Sequence, residues 1–195
     1  MTIPPRSFVF SSGVPHERDD QGDRSQLADL AAGKPQALAA LYDQHAASLF
    51  RHALALTRHR SDAEDLVQAV FVKLATTGAE LLGVQKPASY LHRMLHTTWV
   101  DGRRRAITGE RVVQHVAPDA SVPPVDVAGS IDVARALDEL PEAQREAIVL
   151  HVVEGFSFRE VGRQTGVSLF TAAARYRLAV TRLRRSLAHP PGENR

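Results

Sequence analysis

Apolar residues recur at three- and four-residue steps along most of this chain, and no stretch alternates strictly between apolar and polar positions. The first pattern places apolar side chains on one face of a helix; the second would mark a strand. The expected fold class is all-α. A short helix is predicted over about 26–32, stopped by Gly33-Lys34-Pro35. A long one follows to about Arg58, with Leu38, Leu41, His45, Leu49, His52 and Leu56 on a single stripe. Ser61 and Glu64 have the spacing of a capping box, and the helix they open carries Ala63, Leu66, Val67, Val70, Phe71 and Leu74 on one face. Thr76 to Lys86 reads as a loop. Pro87 suits a first helical position and starts a helix that ends beyond Arg103, Arg104 and Arg105.

From 107 to 130 the stripe disappears and prolines 118, 123 and 124 accumulate, as in an interdomain linker. Helices resume at Ile131, restart at Pro141 and stop at Gly155. The organisation expected is two small helical domains joined by a flexible linker. A tail covers 1–25, the first domain 26–106, the linker 107–130, the second domain 131–188 and a short tail 189–195.

Residues 155–187 carry the clearest signal. Ser157 and Glu160 form a capping box, Thr165-Gly166-Val167 breaks the helix, and Ser168 caps a second one. Val161, Gly162, Val167 and Ala172 are small or apolar enough for close packing. Two helices at such a turn make a helix-turn-helix, whose second helix enters the DNA major groove. That helix holds Arg175, Arg177, Arg182, Arg184 and Arg185 and no acid. The planar fork of arginine matches phosphate and guanine. An amphipathic helix closing a bundle would carry similar charge.

The 195 residues have a formal charge of only +2, so basic residues matter by clustering. With no cysteine, disulfides and thiol catalysis are excluded. No apolar run reaches the ~18 residues of a membrane helix, and the N-terminus lacks the basic and apolar regions of a secretory signal. Cytoplasmic location and no membrane insertion are expected. No nucleophile elbow, phosphate-binding glycine loop or zinc motif appears, so no enzyme activity is expected. His45, His52 and His59 lie seven apart, roughly 10 Å along a helix, too far to share an ion; they are expected at the edge of the core. His92 and His96 could share one, but no third ligand is in view. No metal or cofactor is expected. The helix from Pro87 also interleaves Tyr90, His92, Arg93, His96 and Trp99, a mixture suited to single-stranded nucleic acid.

Three stretches in this order, LYDQHAASLFRHALAL with DAEDLVQAVFVKL, PASYLHRMLHTTWVDGRRR, and LDELPEAQREAIVLHVVEGFSFREVGRQTGVSLFTAAARYRLAVTRLRRSL, resemble the extracytoplasmic-function (ECF) sigma factors of the sigma-70 superfamily. The resemblance covers about 37–187 outside the linker. It implies a sigma factor that binds core RNA polymerase, at its clamp helices and flap, and directs it to −35/−10 promoter DNA. The first domain would be region 2-like, the second region 4-like. Asp62, Asp65 and Gln68 would bind core polymerase; Ala69 stands where the family often has glutamate. Gln85, Lys86, His92, Arg93, His96, Thr97, Arg103 and Arg104 would meet the −10 element. Ser168, Phe170, Thr171, Ala173, Ala174, Arg175, Arg177, Arg182 and Arg184 would meet the −35 element. The alanines reduce base-edge hydrogen bonding and shift weight to phosphate contacts. An anti-sigma factor is a frequent partner in the family. The alternative is a stand-alone helix-turn-helix regulator, which would leave the DAEDLVQ run unexplained.

Overall fold

The computed structural model describes residues 20–107 and 131–188. Eight α-helices form it: α1 (Asp20–Ala31), α2 (Pro35–Thr57), α3 (Arg60–Thr76), α4 (Pro87–Ile107), α5 (Ile131–Asp138), α6 (Glu142–Ile148), α7 (Phe158–Thr165) and α8 (Leu169–Ala188). A 3-10 turn at Gly78–Gly83 precedes α4, and a wider π turn at Val149–Val153 extends α6. No strand occurs among the described residues. The expected linker and C-terminal tail lie outside them, as does the N-terminal tail as far as residue 19.

α1 to α4 surround one core in which Leu27, Leu41, Leu49, Leu56, Val70, Leu74, Leu91 and Leu95 are buried. The expected apolar faces of α2 and α3 are the ones that pack. Three local details differ from expectation. Helix α1 begins at Asp20, inside the expected tail, because Asp23 and Leu27 are both buried and Asp23 Oδ2 lies 3.0 Å from His45 Nε2 on α2. Helix α3 begins at Arg60, and Glu64 pairs with Arg60 at 2.8 Å, so the expected Ser61 capping box does not form. The loop before α4 is partly helical, tucking Leu81 into the core while Leu82 points outward.

The second group of helices ends in the expected helix-turn-helix. Ser157 Oγ accepts the Glu160 backbone N–H, and Glu160 Oε2 accepts that of Ser157. Gly166, at φ 71°, makes the left-handed turn. Ser168 Oγ then accepts the Thr171 N–H at 3.1 Å. Gly162 lets the chain double back: a Cβ there would sit 2.7 Å from the Val167 carbonyl oxygen. Val161, Ala172, Leu150 and Phe156 fill the centre of this motif, and Ala88 from the start of α4 joins them.

The two groups of helices pack on each other. α6 lies on α2, and α7 lies against α4. Arg145 of α6 donates from Nε to the Ala55 carbonyl at 2.6 Å. That carbonyl belongs to the last turn of α2, where helical partners run out, so an arginine from the other group completes the helix end. Burial, with Arg58 nearby, pushes the Arg145 pKa below its ordinary value.

Gly162→Ala is expected to destabilise the protein by about 1–3 kcal/mol, the usual cost of forcing atoms into a filled site, because the clashing atom is backbone. Urea unfolding of the two proteins measures it.

Candidate promoter and polymerase surfaces

Helix α8 packs on α5, α6 and α7 through Ala172, Ala179, Tyr176 and Leu183. Its other side carries the residues expected at the −35 element. Ser168, Thr171, Arg177, Arg182 and Arg184 are exposed, Phe170 is 76% exposed, and Ala173, Ala174 and Arg175 are half-buried. Leu178 is exposed beside them. The surface is basic and apolar together, suited to phosphates and thymine methyls.

Helix α3 likewise keeps its outer face open. Asp65, Gln68, Ala69 and Val72 are exposed, and Asp62 is half-buried. These side chains lie opposite the buried Leu66, Val67 and Val70.

The residues expected at the −10 element are treated differently. Gln85, Lys86 and Arg93 line an open cleft of about 450 Å³ with Glu80, Tyr90 and Arg163. Gln85 Oε1 accepts from Arg24 at 3.2 Å, and Lys86 Nζ donates to Glu160 at 2.6 Å. Thr97 is exposed, and its hydroxyl donates to the Arg93 and Met94 carbonyls of its own helix. Arg103 pairs with Glu142 of α6 at 2.8 Å, and Arg104 is exposed. His92 and His96 do not face solvent as a nucleic-acid surface would. His92 is 2% exposed and His96 half-buried. Both point into the contact with the second group of helices.

There they join a polar network that pattern reading missed. Arg51 Nε and Nη2 bind Glu154 at 2.5 and 3.0 Å. Ser48 Oγ donates to Glu154 Oε2 at 2.5 Å and lies 2.9 Å from His92 Nε2. His92 Nδ1 is 3.0 Å from His52 Nδ1, His52 Nε2 is 2.9 Å from Glu146 Oε1, and His96 Nδ1 is 2.7 Å from the same oxygen. His52 is fully buried, not at the core edge. The network could have been suspected from its gaps: His45, His52 and His92 occupy stripe positions that an apolar residue would fill more cheaply.

Burial alone would raise the Glu146 pKa, but the contacts with His52 and His96 prevail and hold it at about 2. Glu160 behaves alike: burial raises it, while Lys86 and Ser157 bring it to about 2. The half-exposed Lys86–Glu160 and Arg103–Glu142 pairs contribute at most ~1 kcal/mol each. The buried Glu146 and Glu154 matter more, since removing the partner of a buried charge costs about 3–5 kcal/mol.

Comparison with known proteins decides what these surfaces belong to. Residues 41–107 match the Sigma-70 region 2 family and residues 130–183 the Sigma-70 region 4 family. The chain is 30% identical over 177 residues to the ECF RNA polymerase sigma factor SigM of Mycobacterium tuberculosis, covering 88% of each chain. It is 31% identical to SigL of the same species, covering 84% of this chain and 96% of that one.

The chain belongs to the ECF RNA polymerase sigma factors.

Its fold agrees with solved structures. The sigma factor RpoE, in a complex with the anti-sigma factor NepR from Bartonella quintana, aligns with 77% of this chain and 98% of its own at a TM-score of 0.59 and 23% identity. CnrH, in complex with the cytosolic domain of CnrY, aligns with 85% of this chain and 97% of its own at 0.58 and 22%. The two family matches and the sigma-factor relatives show a sigma factor of promoter-directed transcription initiation and do not favour a stand-alone regulator. Among the described residues no helix is long and apolar enough to cross a membrane.

Glu160 yields a pH prediction. Its folded pKa of about 2 lies below the ordinary 4.5, so its carboxylate contributes stability above pH ~4.5 that fades as pH falls towards 2. The stability difference between the parent and Glu160→Gln should be largest at pH 6 and shrink at pH 3. Urea melts across that range measure it, and a difference that grows on acidification would contradict the assignment.

Proposed function

We propose that the three surfaces divide the work of initiation. The exposed face of α3, with Asp62, Asp65 and Gln68, docks on core polymerase. Helix α8 reads the −35 element, chiefly through phosphate contacts of Arg175, Arg177, Arg182 and Arg184, with Ser168, Phe170, Thr171, Ala173 and Ala174 against the bases. Helix α4 and the turn before it meet the −10 element through Gln85, Lys86, Arg93, Thr97, Arg103 and Arg104. His92 and His96 join that surface only after α6 leaves. In this reading 26–106 and 131–188 are separate functional units, the protein is cytoplasmic, and it performs no covalent chemistry of its own.

The observation that carries the reading is the contrast between the open faces of α3 and α8 and the side of α4 bearing His92 and His96, which is covered. A protein with two exposed docking faces and a third closed by its own second half is built to bind polymerase first and melt DNA afterwards. Each DNA contact alone is weak; held together on polymerase, the two act through effective concentration. Opening the duplex costs a few kcal/mol per unstacked step, offset by stacking and phosphate contacts once α4 is uncovered. An anti-sigma factor like the NepR bound to RpoE would act here by keeping the histidine-bearing side of α4 covered.

Run-off transcription with core polymerase and fragmented genomic DNA of the source organism tests the function. Defined starts sharing −35 and −10 elements, absent with core alone, are expected; their absence in a polymerase that retains the protein would count against promoter selection. Arg177→Ala should reduce the slope of log affinity against log salt by about 0.9. An unchanged slope would remove Arg177 from the phosphate contacts.

A further inference from the structure

The hydrogen-bond directions in the buried network leave one position that neutral side chains cannot fill. Ser48 has one hydroxyl proton, and Glu154, an acceptor held by Arg51, takes it. Ser48 Oγ must then accept from His92 Nε2–H. A neutral His92 consequently has a bare Nδ1, which accepts from His52 Nδ1–H at 3.0 Å. A neutral His52 is left with a lone pair on Nε2, and that lone pair points at a carboxylate oxygen of Glu146 2.9 Å away. Two acceptors face each other there unless a positive charge lies between them. His96 Nδ1 converges on the same oxygen at 2.7 Å.

We propose that His52, His96 and Glu146 form a binding site for a borderline divalent cation of the zinc class, joining α2 and α4 to α6. Their ligand atoms lie within 4.8 Å of one another. Tetrahedral zinc with bonds near 2.0–2.2 Å needs donors about 3.3 Å apart, so each hydrogen-bonded separation opens by roughly half an ångström. Two imidazoles and one carboxylate suit zinc, cobalt or nickel rather than magnesium or calcium, and a water completes four-coordination. The relay His52–His92–Ser48–Glu154–Arg51 is the outer shell that metal-bound histidine requires. It fixes the His52 tautomer with Nε2 free for the ion. With the cation in place every bond in the chain is made by neutral imidazoles. His96, on the partly exposed side of the cluster, gives the ion a way in. Sequence spacing could not show this site, because its third ligand, Glu146, is 94 positions from His52.

The site spans the two groups of helices, so it exists only while they are packed. A bound ion therefore stabilises the packed arrangement by mass action, independently of any polymerase or promoter.

The test uses the full chain with cobalt as the spectroscopic probe and zinc as competitor. Cobalt titration should give the visible absorption of a four- or five-coordinate ion at one equivalent. Zinc should bleach it, and the melting temperature should rise with zinc concentration. His96→Ala, at a half-buried position, and Glu146→Gln should each weaken cobalt binding at least tenfold and abolish the zinc-dependent rise. Ser48→Ala, which touches no ligand directly, should weaken binding 10- to 100-fold through the relay. If Glu146→Gln fails to fold, His96→Ala decides alone. No absorption in the parent would overturn the site, as would absorption that survives in His96→Ala, meaning an ion held elsewhere. Binding with no rise in melting temperature would overturn the link to packing. No arm contains polymerase, so these failures are distinct from a failure of promoter selection.

Discussion

Glu146 sits buried between His52 and His96, and the relation of the two groups of helices depends on it. A buried carboxylate is tolerable only when cationic or hydrogen-bonding partners surround it. Those partners come from α2 and α4, while the carboxylate comes from α6. Neither side can leave without stranding a polar group, unless water follows it in. Arg145, the next residue, works in the opposite direction by donating to a helix-end carbonyl of α2. Adjacent residues of α6 thus carry opposite charges, each answered across the contact. A polar contact of this kind gives precise registry and modest net strength, because desolvation cancels much of the attraction. It suits two bodies that must dock accurately and still separate.

That property bears on how a sigma factor is kept idle. The histidine-bearing side of α4 is closed by α6 and Phe156, while Arg93, Arg103 and Arg104 stay exposed. Glu142, Glu146 and Glu160 pair with Arg103, His96 and Lys86 across this contact. On helix α8, Arg177, Arg182, Arg184 and Arg185 are exposed.

Much of this was legible in the sequence. The helical stripes, the Ser157–Glu160 capping box and the break at Gly166 are local signals, and all three appear in place. The close packing at Gly162 followed from the need for a small residue at a sharp turn. What was not legible is long-range. His52, His92 and Glu154 belong to three segments whose meeting no periodicity encodes. The start of α1 at Asp20 rests on a buried Asp23–His45 contact, so composition alone assigned that turn to the tail. Ser61 has the spacing of a cap, yet Arg60 takes the Glu64 carboxylate that the cap would need. Of the residues expected at DNA, most of those on α8 are exposed, because amphipathicity reports exposure. The burial of His92 was not legible, because a histidine reads the same whether it faces bases or a buried polar network.

The central claim is that the two groups of helices are packed in the free protein and separate on the promoter. The chain has no cysteine, so spin labels at Ala39→Cys on α2 and Val152→Cys beyond α6 report a single distance. Both positions are exposed. Pulsed electron resonance should give one narrow, short distance distribution for the free protein and a longer one for the protein bound to core polymerase and promoter DNA. An unchanged short distance in a complex that initiates transcription would contradict the account, because the covered face of α4 would then not need to open.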